Sequence, residues 1–114
     1  MHNSVQNKSF CFAVRIVNLC SYLRTNKKEH VMSKQLLRAG TSIGANVAES
    51  QHAQSRPDFA SKLNIALKEA AETDYWLRLL HETKYLNEKE FFSIITDCKK
   101  VESLLAAIVK TLKK

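Results

Sequence analysis

The chain has 114 residues, a length that suits one domain, and 45% of them are hydrophobic, enough to bury a core. Its 18 Lys/Arg against 11 Asp/Glu give a formal charge of +7, which favours polyanions, RNA or DNA above all, unless the lysines only solubilise the surface. The 3 cysteines include no CxxC pair, which speaks against a zinc motif and for thiols in a reducing cytoplasm.

The first segment is read as a helix over about residues 4–24, with Val5, Phe12, Ile16, Leu19 and Leu23 at helical steps. Arg15 and Asn18 interrupt its apolar run, and there is no A-x-A cleavage site. The stretch is too short and polar to span a bilayer, so a soluble, cytoplasmic protein without membrane contact is expected. Cys11 and Cys20, nine residues apart on this helix, are separated by roughly 13 Å of rise and half a turn, and cannot bridge each other.

The polar run TNKKEH ends the first helix, and a second is expected over about 31–53. It contains Gly40 and Gly44, the only 2 glycines in the chain. Each glycine in a helix interior costs roughly 1 kcal/mol relative to alanine. Gly40, Gly44 and Ala48 therefore read as a small surface for close helix packing. It would admit a large neighbour such as Phe12, Phe59 or Trp76, or form part of a subunit contact.

In QSRPDF, Ser55 is an N-cap candidate, Pro57 sits in the first turn, and Asp58 occupies the capping-box position. The third helix follows over about 57–82, with Phe59, Leu63, Ala66, Ala70, Leu77 and Leu80 on one face. Asn87 and Glu90 have capping-box spacing and open a fourth helix, about 88–112. There Phe91, Ile94, Cys98, Val101, Leu105, Ile108 and Leu112 alternate steps of three and four, the seam of a bundle. No strand pattern competes. Short connections between long helices make antiparallel neighbours, so the fold class is all-α: one up-down-up-down four-helix bundle over residues 1–114.

Apolar residues outside these faces are numerous: Phe92, Ile95, Leu104 and Val109 on the fourth helix, and Ile65, Leu67, Tyr75, Trp76 and Leu79 on the third. Such excess marks an interface, and a homo-oligomer is expected, with Glu49, Trp76 and Phe92 as candidate intersubunit residues.

Catalytic chemistry is not legible. Glu49 and His52 form the single Glu-x-x-His pair, where a di-iron bundle needs two, so no metal or cofactor is expected. Glu69, Glu72 and Asp74 are expected to pair with Lys68, Arg78 or a neighbouring subunit. His81 lies where its charge would favour the helix dipole. No nucleophile–base set or phosphate-binding glycine loop is present, so the chain is not read as an enzyme.

The cations Arg15, Arg24, Lys27, Lys28, Arg38, Lys99 and Lys100 are the candidate nucleic-acid-binding residues. The first two helices are too long and their connection too lysine-rich for a helix-turn-helix. Binding would therefore be backbone-directed and salt-sensitive. A protein-interaction scaffold with incidental charge is the alternative.

QLLRAGTSIGANVAES carries a Gln-x-x-Arg-Ala-x-x-Ser-Ile-x-x-Asn-Val-Ala-Glu pattern: Gln35, Arg38, Ala39, Ser42, Ile43, Asn46, Val47, Ala48 and Glu49. Phe59, Leu63, Ile65 and Ala66 follow in a Phe-x-x-x-Leu-x-Ile-Ala stretch. Over nearly the whole chain this resembles the four-helix-bundle family that includes proteins encoded in intervening sequences of bacterial 23S rRNA genes. The resemblance implies an antiparallel bundle and a ring-shaped homopentamer with a basic surface. It also implies kinship with the nucleic-acid-binding accessory protein of diversity-generating retroelements. Ser50 stands where the family commonly has glycine. The resemblance supplies no catalytic residues.

Overall fold

The computed structural model describes residues 3–113, with side chains from residue 5. Four helices fill it: α1 (Asn3–Asn26), α2 (Met32–Ser50), α3 (Arg56–Glu82) and α4 (Glu88–Leu112). They form a rod of 44 × 20 × 20 Å, two helix diameters across. Each helix packs on its chain neighbours, and α1 and α4 close the ring along the loosest seam. The pairing is antiparallel: Ile16 and Ser9 of α1 meet Gly40 and Gly44 of α2, and Cys98 of α4 meets Ala70 of α3.

The expected caps are present. Ser55 Oγ accepts from the Asp58 N–H, and Asn87 and Glu90 form a reciprocal capping box. Helix α2 stops at Ser50 and not at 53. Its last bonds tighten to three-residue steps, from the N–H groups of Gln51, His52 and Ala53 to the carbonyls of Ala48, Glu49 and Ser50.

The start of α2 holds a residue that the sequence reading passed over. Glu29, only 6% exposed, folds back so that its carboxylate accepts from the backbone N–H groups of Val31, Met32 and Ser33, at 3.1, 2.9 and 2.7 Å. Ser33 Oγ in turn donates to the Glu29 carbonyl at 2.8 Å. Three of the N–H groups that a helix start leaves unpaired are thereby satisfied by one anion. Against the desolvation that would raise it, these N–H groups hold the Glu29 carboxyl below its ordinary range.

The glycines serve contact within the chain. A Cβ on Gly40 would lie 2.8 and 2.9 Å from Ile16 Cγ2 and Cγ1, and one on Gly44 would lie 3.2 Å from the Ser9 carbonyl oxygen. The close neighbours are thus Ile16 and the α1 backbone, and not Phe12, Phe59 or Trp76. Ala48 is exposed and lies outside this seam.

The α4 seam is buried or half-buried throughout, but the core is wider than one stripe. Ile95 and Val109 are 8% and 6% exposed, so part of the apparent apolar surplus belongs to the core. Leu67, Trp76, Leu79 and Leu104 are half-buried. The exposed large apolar residues on these two helices are Ile65, Tyr75 and Phe92, and α1 presents a stripe of its own, Phe10, Val14 and Val17.

Both turns at one end of the rod are closed by a lysine in the left-handed conformation: Lys28 after α1 (φ 57°) and Lys84 after α3 (φ 70°). Glycine is the usual occupant of such a position, because a Cβ there crowds the following carbonyl by roughly 1–2 kcal/mol. Allowing for the greater chain entropy that glycine loses, Lys28→Gly and Lys84→Gly should each stabilise the fold by about 0.5–1 kcal/mol, read as a higher urea midpoint.

Candidate nucleic-acid interface

The fold sorts the charges. Arg15 reaches across the α1–α4 seam to Asp97 at 2.7 Å and to the Ser93 carbonyl and hydroxyl. Arg38 bridges α2 to α3, pairing with Glu69 at 3.2 Å and with Glu72, which also accepts from the Trp76 indole. Lys62 pairs with Glu49. The expected Arg78 partner of the α3 acids holds for Asp74, but Glu69 and Glu72 turn to Arg38, and neither pairs with Lys68.

Among the described residues, Asp74 is the one largely buried carboxylate in a cross-helix ion pair. Arg78 Nε lies at 2.8 Å from it and Lys99 Nζ at 2.7 Å. Desolvation presses the Asp74 carboxyl upward, yet the bonds from Lys99, Arg78 and Glu102 hold it below its ordinary range. Glu102 bears the opposite strain. Burial, then the neighbouring Asp74 carboxylate, push its carboxyl up, and its Oε1 is enclosed without a hydrogen-bond partner.

Of the seven candidate cations, Arg15, Arg38 and Lys99 are therefore neutralised by carboxylates on three different sides of the bundle. Arg24, Lys27, Lys28 and Lys100 are exposed and have no carboxylate partner among the described residues. The seven do not form one face. Arg24, Lys27 and Lys28 gather at the end of the rod where the α1–α2 and α3–α4 turns lie. Lys84 and Lys89, which the sequence reading did not include, share that end.

Lys100 belongs to a second surface, a trough of about 950 Å³ along the outward side of α4. Phe91, Phe92, Ile95 and Leu104 give it an apolar lining, and Lys8, Arg78, Lys99 and Lys100 supply cations from three helices. Among the described residues no carboxylate lines it. Phe91 is held from behind by His81, whose ring stacks on it at 4.1 Å with the planes 4° apart. His81 also lies 3.4 Å from Glu88, so its neighbours are an aromatic face and an acid as well as the helix end. Lys8 and Lys100 also line a smaller cleft across the α1–α4 seam with Cys11, Arg15 and Asp97.

Catalytic groups do not converge on either surface. His52 is exposed and Glu49 points to Lys62, and no group of three or more potential metal ligands occurs among the described residues. Burial pushes the Cys20 thiol up to about 11 and the Cys98 thiol to about 12, so both are poor nucleophiles at neutral pH. No helix among the described residues is long and apolar enough to cross a membrane.

A family model described as 23S rRNA-intervening sequence protein matches residues 1–107. A solved structure, a protein of unknown function from the S23 ribosomal protein family of Bacteroides thetaiotaomicron, is 57% identical in sequence. The match covers 93% of this chain and 98% of that one, with a TM-score of 0.91. No curated protein matches the chain. The match over nearly the whole chain, together with the shared four-helix architecture, places the protein in the 23S rRNA-intervening sequence protein family.

Proposed function

We propose that this protein is a non-enzymatic, self-assembling bundle of the cytoplasm that binds RNA or DNA through the phosphate backbone. The observation that carries this reading is how the charges are used. Among the described residues, every carboxylate except Glu82 and Glu102 has a partner in the fold, a basic side chain or a backbone N–H. The cations at the turn end are not: Arg24, Lys27, Lys28, Lys84 and Lys89 face solvent without an acid partner. The surplus of +7 is thereby concentrated in side chains that the fold does not use. The family is described by an intervening sequence of 23S rRNA, so RNA is the first ligand to test.

Self-assembly rests on the stripe Phe10, Val14 and Val17, exposed by 69%, 46% and 48% at helical steps of four and three. A second copy is the occupant that the family resemblance implies, as part of a homopentamer. Repetition of the basic end around a ring would multiply weak phosphate contacts by avidity. The same stripe favours the scaffold reading if nucleic acid does not bind.

Titration of labelled RNA should give an affinity that falls by roughly 50-fold between about 50 mM and about 200 mM salt if about four phosphates are contacted per site. The same sample should sediment well above the 13.0 kDa of one chain. Absence of binding at low salt would leave the scaffold reading alone.

A further inference from the structure

We infer that the trough on α4 takes single-stranded nucleic acid, with an unpaired base stacked on Phe92 and the adjoining phosphates on Lys8 and Lys100. The inference rests on the nucleic-acid reading above and specifies its ligand.

Phe92 is 61% exposed, while its α4 neighbours Ile94 and Ile95 are 3% and 8% exposed. The ring contributes little to the core and sits beside a packed aromatic neighbour. Phe91 lies 6.0 Å away with planes tilted by 51°, and is itself clamped by the His81 stack. A solvent-facing aromatic ring offers a face to a flat partner, and a stacked base contributes whatever its identity.

The charges around the ring point to the same ligand. Basic side chains line the trough, and among the described residues no carboxylate does, which suits a chain of phosphates. Asp74 already occupies Arg78 and Lys99, which leaves Lys8 from α1 and Lys100 from α4 as the cations with charge to offer. A duplex satisfies such lysines but keeps its base faces stacked on one another, with nothing to lay on Phe92. A single strand satisfies both. An acidic amphipathic helix would match the charges and could lay apolar side chains on the lining, but it gains nothing from a flat aromatic face that leucine would not supply.

The test measures fluorescence anisotropy of a short labelled RNA, single-stranded or annealed into a duplex, with the full chain. Phe92→Leu, which keeps an apolar side chain and removes the ring, should weaken single-strand binding about tenfold and leave duplex binding unchanged; Phe92→Tyr should bind like the wild type. Lys8→Gln with Lys100→Gln should weaken both ligands. Because Phe92 is exposed, the variants should melt with the wild type. Equal loss on both ligands, or no loss on either, overturns the stacking assignment and leaves the backbone reading standing. A drop in sedimenting mass for Phe92→Leu overturns it as well, since the trough would then be a contact between copies. Failure of the wild type to bind any nucleic acid at low salt removes both readings together.

Discussion

Gly40→Leu should destabilise the bundle by about 3–5 kcal/mol, enough to unfold it under mild denaturant or to loosen α1 from α2. A Cβ alone would sit 2.8 Å from Ile16 Cγ2, and leucine adds three further carbons in the same direction. Ile16 is fully buried and branched at its Cβ, so its methyls cannot swing aside. Relief requires α1 to move away and carry Phe12 and Leu23 with it. Gly44→Ala provides the contrast. Its Cβ would be 3.2 Å from the Ser9 carbonyl oxygen, a crowding that a small backbone shift accommodates. The gain in helix propensity, about 1 kcal/mol, offsets it, and Gly44→Ala should melt close to the wild type. Urea denaturation of the two variants side by side decides whether the seam is as tight at Gly40 as the geometry says.

Glu29→Ala should cost roughly 3 kcal/mol, several times the loss of an ordinary exposed cap, because three N–H groups at the start of α2 lose a shared acceptor. The residue also gives the fold an acid-side signature. Its folded carboxyl titrates below the ordinary value of 4.5, so its contribution is complete above that value and is lost as pH falls through the folded pKa. Asp74, held below its own ordinary value, acts in the same direction. Glu102 acts in the opposite one: its carboxyl is raised above 4.5, so protonation near and below that raised value relieves a cost present at neutral pH. Glu29→Gln should therefore be less stable than the wild type at neutral pH and lose less on acidification. Thermal melts across the acid range measure both differences.

The architecture was legible because it is written in local chemistry. Asn87 and Glu90 mark the start of α4 within four residues of chain, and the three-and-four alternation from Phe91 to Leu112 names its inner face. Helix α1 was less readable because Phe10, Val14 and Val17 repeat with the same period as Phe12, Ile16 and Leu19. Periodicity finds two stripes there, and only the neighbours of α1 decide which one is covered. Glu29 lies in a run of charged residues that reads as solvated loop. Its role appears once the chain turns and aims the α2 N–H groups at it.

The candidate interface was legible in its total charge and not in its distribution. The pairing of Arg78 with Asp74 is a helical i,i+4 contact that sequence can suggest. The pairing of Arg38 with Glu69 and Glu72 joins residues more than thirty positions apart, and nothing local announces it. Three of the seven candidate cations are lost to such bonds. The remaining ones acquire meaning only because two turns distant in sequence meet at one end of the rod, bringing Lys84 and Lys89 beside Arg24, Lys27 and Lys28.

At that end the chain places lysine twice where glycine would relieve strain. Under the proposed nucleic-acid binding, these lysines contribute charge at some expense in stability. The decisive measurement takes the double variant Lys28→Gly with Lys84→Gly and follows its urea midpoint and its RNA affinity at low salt in parallel. The double variant should unfold at higher urea and bind RNA at least several-fold more weakly. A variant that is more stable and binds RNA as tightly as the wild type would contradict that contribution.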